Sequence, residues 1–342
     1  MKVWVGAALI FFPLYTITAS EPIDIIYAFD QFAFVLAVGV YWLSYYCFSL
    51  KHLNILAKLA TTGLILGVFW VLWQYHYLGA GRTTSIIAGG ANLIARIAPL
   101  LFFFALLPLI ISAKSTRKWL LGIIATFAML TIVVYSGSRG VILVVPFLIF
   151  FPALFLLPKS AVGSSKTKLL LVVVVSTIIA AGFYFDPNNL VSSAVARVGS
   201  ILSGADMDSS TNARYLMWRS ALNLFVDNPL FGIGRHSFTE AAPANSGPQL
   251  MNYFSFHADL ANYAVAGGII GVVLYVTFVS APLLTVSRKQ DPVRNYWAVS
   301  MFFTYMLLGL TDSVIGFDYP TMFIAFSFAI IWGVINRKLD RK

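Results

Sequence analysis

The chain has 342 residues, of which 59% are hydrophobic and 11% charged, and its formal net charge is +10. Soluble domains carry about 25% charged residues, so this composition excludes a soluble globular enzyme and a disordered protein. Cys47 is the one cysteine in the sequence, which excludes an intramolecular disulfide. Apolar runs of about twenty residues are typical of membrane helices rather than of the alternating strands of a membrane β-barrel.

Ten apolar segments are long enough to cross a bilayer, so we predict an all-α polytopic membrane protein with about ten transmembrane helices. The predicted spans are residues 3–19, 25–50, 54–75, 86–112, 119–136, 140–158, 168–185, 258–286, 296–316 and 320–336. They divide one integral membrane domain into a seven-span region (1–185), a long loop (186–257) and a three-span region (258–342). The first segment also has features of a cleaved signal peptide, but Ile17 is a poor residue before a cut after Ala19.

The basic residues orient these spans. Fifteen of the 23 lie in one set of loops, which the positive-inside rule assigns to the cytoplasm together with both termini. All eleven lysines fall on that side, whereas the outer basic residues are arginines: Arg82, Arg96, Arg139, Arg197, Arg214, Arg219 and Arg235. Arginine binds phosphate oxygens through a planar fork, although it also tolerates membrane interfaces well. The positive net charge mainly reflects topology and does not indicate nucleic acid.

The long outer loop contains a segment with helical periodicity from Thr211 to Asp227, which Asn228-Pro229 ends. Its apolar stripe can lie on the membrane or pack over the spans, and consists of Tyr215, Trp218, Leu222 and Phe225. Arg214 is expected in the first turn, where the backbone N–H groups already favour an anion. The alternative is that Arg214 contacts lipid headgroups.

The end of the loop carries further candidates. Gly232 and Gly234 allow a tight turn with close backbone approach, and Arg235 follows them. A lone Gly-x-Gly is weak evidence for phosphate binding, and no strand precedes it. His257 lies where the eighth span begins, with Asp259 nearby, and an imidazole there suits a general base at neutral pH. Histidine is also a common interfacial residue without a catalytic role.

Four motifs together resemble the O-antigen ligase and O-antigen polymerase superfamily of bacterial inner-membrane glycosyltransferases. The motifs are Ser136-Gly137-Ser138-Arg139-Gly140, Ala213-Arg214-Tyr215-Leu216-Met217-Trp218, Asn228-Pro229-Leu230-Phe231-Gly232-Ile233-Gly234, and His257 followed by Gly268-Ile269-Ile270-Gly271. They cover roughly residues 130–275, in the order and on the face that the family shows. Arg82 and Asn92 also resemble a looser upstream pattern. Ala258 departs from the polar residue usual after the histidine, and relatives often have twelve spans.

The resemblance implies transfer of a glycan from undecaprenyl pyrophosphate to an acceptor hydroxyl, with inversion at the anomeric carbon and no cofactor. Arg139 and Arg214 would hold the diphosphate and His257 would take the acceptor proton. The further substrate-binding residues would be Arg235, Arg82, Asp259, Gly232 and Gly234. A ligase acting on lipid A-core is favoured over a polymerase acting on a lipid-linked repeat, because the spacing from His257 to Gly271 resembles the ligase pattern.

A metal-dependent mechanism is the first alternative. Asp206-Met207-Asp208 imitates the Asp-x-Asp of metal-dependent glycosyltransferases, and Glu21 and Asp24 lie in the first outer loop. Such acids are more often solvated loop residues, and the sequence has no His-Glu-x-x-His or cysteine pair. We therefore expect a metal-independent reaction.

A transporter or flippase is the second alternative, because ionisable residues within spans are usually functional. Five such residues lie in or near the predicted spans: Asp30, Lys58, Arg96, Asp259 and Asp312. However, the seven spans before the loop and the three after it show no inverted repeat, which many transporters have.

Overall fold

The computed structural model describes residues 25–80, 83–84, 91–111, 116–156, 196, 199, 209–234, 237–251, 255–286, 291–315 and 318–340. All regular secondary structure in these ranges is helical. The α-helices are α1 (Ile25–Cys47), α2 (Leu50–Tyr77), α3 (Ala91–Ile111), α4 (Thr116–Ser136), α5 (Arg139–Leu156), α6 (Ser209–Asp227), α7 (Ser237–Ser246), α8 (Asp259–Ser280), α9 (Pro292–Thr311) and α10 (Asp318–Asp340). Short 3-10 helices cover Pro248–Leu250 and Ala281–Thr285.

Five helical stretches in the described part are long and apolar enough to cross a membrane. They are Leu50–Tyr77, Asn92–Ile111, Thr116–Ser136, Asp259–Leu284 and Pro320–Asp340. Each overlaps a predicted span, and α3 continues through Pro99 and Pro108, as prolines in membrane helices allow. The predicted spans at 3–19 and 168–185 lie outside the described residues. The all-helical fold class is confirmed, whereas the count of ten spans and the periplasmic location of the loop stay predictions.

The chain forms two compact units. Unit 1 comprises residues 1–46, 200–286 and 305–333, and unit 2 comprises residues 47–199, 287–304 and 334–342. In unit 2, α2, α3 and α4 pack on one another. Glycines permit this close approach, because a Cβ at Gly67 would come within 2.8 Å of Ile132 and one at Gly122 within 2.6 Å of Leu109. Tyr296 then donates a hydrogen bond to the Phe103 carbonyl (3.0 Å).

Unit 1 is built around α8. One side of α6 is apolar and packs, with α7, against the segment that leads into and begins α8. The buried cluster contains Ala213, Met217, Ala221, Leu224, Ala242, Leu250, Phe256, Ala258, Ala261 and Val265. The sequence predicted α6 from Thr211, and the helix starts two residues earlier, at Ser209. It did not predict α7 or the 3-10 helix after it.

Helix α8 is broken in its interior. Gly268 has φ +60° and ψ −148°, so the helical hydrogen-bond pattern stops there and resumes beyond it. The sequence predicted one continuous span over 258–286. This difference matters for function because the break faces the turn that carries Gly232 and Gly234.

Candidate active site

The first turn of α8 holds the connection between α9 and α10. The Asp259 carboxylate is fully buried and accepts hydrogen bonds from the backbone N–H groups of Val314 (2.9 Å) and Ile315 (3.2 Å). Tyr263 donates from its hydroxyl to the Ile315 carbonyl (3.3 Å). A buried carboxylate is tolerated where it is hydrogen-bonded, and here its partners fix a chain segment more than fifty residues away in sequence. Asp259 therefore positions the residues around Asp312.

The result of this arrangement is a His–Asp pair. His257 Nδ1 lies 2.7 Å from Asp312 Oδ1. The imidazole is 30% exposed whereas the carboxylate is 8% exposed, so the histidine can be reached from outside and its partner is enclosed. In a neutral imidazole beside an ionised carboxylate, which only accepts, Nδ1 carries the proton and Nε2 carries the lone pair. This is the tautomer in which a histidine can take a proton from a hydroxyl.

The backbone of His257 is held in an unusual conformation. Its φ is +49°, the left-handed region that non-glycine residues rarely adopt. The His257 N–H donates to Ser255 Oγ (3.3 Å), and Ser255 Oγ in turn accepts from Ser313 Oγ (3.2 Å). Strain of this kind costs about 1–3 kcal/mol and persists where the surroundings impose it, typically at functional sites.

Asn262 joins the two sides of the pair. Its side-chain oxygen accepts from the Phe256 N–H (2.8 Å), and its side-chain nitrogen donates to Ser313 Oγ (2.7 Å). Phe256 precedes His257 in the chain and Ser313 follows Asp312. One buried amide therefore sets the distance between the backbone segments that carry the imidazole and the carboxylate.

Arg214 reaches the same place from α6. Its guanidinium donates to the Thr311 carbonyl (3.1 Å), the residue before Asp312. Thr311 ends α9, and arginine is a suitable partner for the unpaired carbonyls at a helix C-terminus. Because α6 starts at Ser209, Arg214 is in the second turn and not in the first, so the expected anion seat at the helix N-terminus is wrong in that detail. Arg214 and His257 instead converge on consecutive residues, Thr311 and Asp312.

The motif glycines form a backbone junction. The break at Gly268 prevents Val265 and Ala266 from accepting their usual helical hydrogen bonds, and the N–H groups of Ile233 (2.9 Å) and Gly234 (3.0 Å) bond to those carbonyls instead. The Ile269 N–H donates to the Pro229 carbonyl (2.7 Å).

This close approach requires glycine on both sides of the junction. A Cβ at Gly232 would overlap the backbone at Val265–Gly267, and one at Gly268 would overlap the backbone at Leu230. The close backbone approach predicted for Gly232 and Gly234 is therefore made to α8. Their contact with substrate stays a prediction, as does that of Asp259.

The remaining predicted site residues are less informative. Arg139 is the first residue of α5 in unit 2, after a tight turn in which Gly137 has φ +64°. Arg82 and Arg235 lie outside the described residues.

The metal alternative depends on acidic residues that also lie outside the described residues: Glu21, Asp24, Asp206 and Asp208. Among the residues that are described, no three His, Cys, Asp or Glu side chains group as metal ligands, and metal independence stays a prediction.

Sequence reasoning missed the role of two residues. The sequence marks Asp312 only as an ionisable residue near a span and gives no signal for Asn262. The available signal was a carboxylate at the outer end of the ninth span, on the side that His257 was expected to face. The pairing itself needed the connection after α9 to be brought to the start of α8.

The fold and the site together define a class: a helical protein with several helices able to cross a membrane and a His–Asp pair beside an arginine. Residues 124–276 match the family model described as O-antigen ligase. This segment is therefore similar to O-antigen ligase domains, and the match confirms the resemblance based on the motifs. The match includes Arg139, Arg214 and His257, and it ends before Asp312. No curated protein matches the chain significantly.

Proposed function

We propose that the protein is an O-antigen ligase-type glycosyltransferase of the bacterial inner membrane. It transfers a glycan from undecaprenyl pyrophosphate to a lipid A-core hydroxyl, with inversion, at a site that faces the periplasm while both termini face the cytoplasm. The family match supports an enzyme acting on lipid-linked glycans. The observation that carries the proposal is the convergence of His257 and Arg214, two residues of the matched segment, on Asp312 and Thr311.

The His–Asp pair supplies the general base. Asp312 keeps the Nδ1 proton of His257 in place, so Nε2 accepts the proton of the acceptor hydroxyl as its oxygen attacks the anomeric carbon. The new glycosidic bond forms on one face of the sugar while the bond to the diphosphate breaks on the other, which inverts the configuration. The proton on His257 then passes to solvent or to the departing diphosphate.

The arginines stabilise the leaving group. Negative charge grows on the diphosphate as the anomeric C–O bond breaks, and a preorganised guanidinium in a partly dehydrated site lowers the energy of that state. Arg214 is held for this task by the Thr311 carbonyl. Arg139, Arg235 and Arg82 are proposed to complete the diphosphate and glycan contacts, so that no metal ion is needed.

The direct test is glycan transfer by purified protein in lipid vesicles, with lipid-linked donor and lipid A-core acceptor. His257→Ala and Arg214→Lys should each lower the rate by about 10²–10³-fold while the protein remains folded. Arg219→Lys is the matched control, because Arg219 is exposed on the same helix and lies about 140° from Arg214 at 100° per residue. Near-normal rates in both site variants would refute the assignment, and loss of activity in a chelator would restore the metal alternative.

A polymerase is the second candidate, since the matched family supports the ligase and the polymerase reaction alike. A strain lacking the protein separates the two. Polymer retained on the carrier lipid but absent from lipid A-core indicates a ligase, whereas single repeats on lipid A-core indicate a polymerase. A flippase would instead trap the lipid-linked donor on the cytoplasmic side. Asp259 and Asp312, two of the residues that suggested transport, have polar partners within unit 1 that explain their burial.

A further inference from the structure

Helix α6 has two apolar faces. One is buried against α8 and contains Ala213, Met217, Ala221 and Leu224. The other lies on the opposite side of the helix, and its side chains are 44–64% exposed. This exposed face consists of Tyr215, Trp218, Leu222 and Val226. An amphipathic helix on a water-facing surface needs only the first face, so the second requires its own explanation.

On the exposed side of α6, apolar and polar side chains occupy separate sectors of the helix. At 100° per residue, Tyr215, Trp218, Leu222 and Val226 fall within a sector of about 80°. The exposed polar residues occupy the neighbouring sector, and these are Asn212, Arg219, Asn223 and Asp227. Tryptophan and tyrosine beside an arginine are typical of helices that lie at the boundary between lipid headgroups and acyl chains.

The exposed apolar face is continuous with the surface of a candidate span. The turn after α6 presents Leu230 and Phe231, which are 61% and 68% exposed. The hydrogen bond from the Ile269 N–H to the Pro229 carbonyl ties this turn to the break in α8. Beyond the break, α8 exposes an apolar stripe of Ile269, Ile270, Val273 and Val276. Since the stretch Asp259–Leu284 is long and apolar enough to cross a membrane, we expect lipid to cover that stripe.

We propose that α6 is an interfacial helix: its Tyr215–Val226 face and the Leu230–Phe231 turn lie in the outer lipid leaflet, next to the break in α8. Arg214 falls between the two apolar faces of α6, about 40° from Trp218 at 100° per residue. Insertion of the exposed face therefore holds Arg214 and His257 at the depth of the lipid headgroups. The functional meaning rests on the proposed function, because this is the depth at which the diphosphate of a lipid-linked glycan lies.

Two pairs of neighbouring positions on α6 provide the test. In full-length protein with Cys47→Ser, single cysteines replace Leu222 or Asn223, and Val226 or Asp227, and each carries a nitroxide spin label. The protein is reconstituted in vesicles of phosphatidylethanolamine and phosphatidylglycerol. Relaxation of the label by oxygen, which concentrates in lipid, is compared with relaxation by a water-soluble nickel chelate. All four side chains are exposed, so the substitutions leave the core unchanged.

The expected result alternates along the helix. Labels at positions 222 and 226 should respond severalfold more to oxygen relative to nickel than labels at 223 and 227. Equal nickel access at both members of each pair would refute the proposal, because the face would then be in water. Protection of 222 and 226 from both reagents would also refute it, since a protein surface would then cover the face.

The measurement is independent of catalysis. The same labels in a His257→Ala background should give the same alternation, because the imidazole plays no part in lipid contact. An active His257→Ala protein with normal alternation would overturn the proposed function and leave the lipid contact intact. A loss of alternation in an active protein would overturn the lipid contact and leave the proposed function intact.

Discussion

The start and the break of α8 fix the site by different means. At the start, side chains do the joining: Asp259 and Asn262 bond to the residues that flank Asp312 and His257. At the break, backbone bonds to backbone, as Ile233 and Gly234 donate to the carbonyls that Gly268 leaves without helical partners. The two regions are about six residues apart on one helix, and each ties a distant chain segment to it.

The difference lies in how each region tolerates change. A side-chain network loses its contacts one at a time, so a substitution at the start of α8 can weaken the geometry by steps. A backbone junction leaves no space for a side chain, so one added Cβ at the break displaces a whole segment. We therefore expect substitutions at the break to act on folding, and substitutions at the start to act on catalysis.

The largest effect is expected for Gly268→Ala. Alanine at φ +60° and ψ −148°, a region confined essentially to glycine, costs about 1–3 kcal/mol in backbone strain alone, and its Cβ overlaps the backbone at Leu230. The turn at Pro229–Gly234 then separates from α8, and buried carbonyls lose their partners. Thermal denaturation in detergent should show a strongly destabilised protein, with glycan transfer lost.

Gly267→Ala is the adjacent control. A Cβ at Gly267 meets nothing within 4 Å, so this variant should fold and function normally. If the two alanine variants melt at the same temperature, the backbone junction between the Pro229–Gly234 turn and α8 does not stabilise unit 1.

A smaller effect, on rate rather than folding, is expected for Asn262→Leu. Leucine is of similar size but leaves the Phe256 N–H and the Ser313 hydroxyl without the amide that joins them. A shift of His257 relative to Asp312 should lower kcat by roughly 10²-fold, since small misplacements of catalytic groups have effects of that order. KM should change less than kcat, which separates a loss of positioning from a loss of binding.

Two further variants calibrate this result. Ser313→Ala removes one arm of the bridge and should lower kcat by only about 10-fold, the equivalent of one hydrogen bond. Ser327→Ala removes a buried hydroxyl of unit 1 that donates to the Ile324 carbonyl of its own helix, and should leave kcat unchanged. Equal effects from Ser313→Ala and Ser327→Ala would indicate general destabilisation instead.

The sequence revealed these two regions unequally. Hydrophobic periodicity and length predicted the spans and α6, because burial in lipid or protein imposes a local pattern. The close backbone approach of Gly232 and Gly234 was predictable because glycine suits such turns, whereas Gly268 stood out only through the family motif and its break in α8 was not predicted. The Asp312 partner of His257 was not predicted, because it lies 55 residues away and no local pattern encodes a contact made by a tertiary turn. Asn262 was missed since a polar residue inside an apolar run carries no signal of its partners.

The smallest effect is expected for a second set of hydrogen bonds made by a side-chain amide, that of Gln74 in unit 2, which we call the Gln74 clamp. There the Gln74 amide accepts from the Thr84 N–H and donates to the Thr84 carbonyl, both at 2.8 Å. Trp70 donates to the same carbonyl (2.7 Å). This clamp holds a single nearby segment, two residues after Arg82 in the chain, whereas Asn262 joins the two segments that carry the proposed catalytic groups.

Gln74→Leu should therefore raise the KM for the lipid-linked donor by roughly fivefold, equivalent to about 1 kcal/mol for the lost hydrogen bonds, with kcat unchanged. The Trp70 contact remains and limits the displacement of Thr84. Phe69→Leu, an exposed position on the same helix, is the control and should not alter KM. A normal KM in Gln74→Leu would remove the support that this clamp gives to a donor-binding role for Arg82. A fall in kcat would instead mean that the segment after α2 takes part in the chemical step. The roles of Gln74 and Asn262 would then differ less than their contacts suggest.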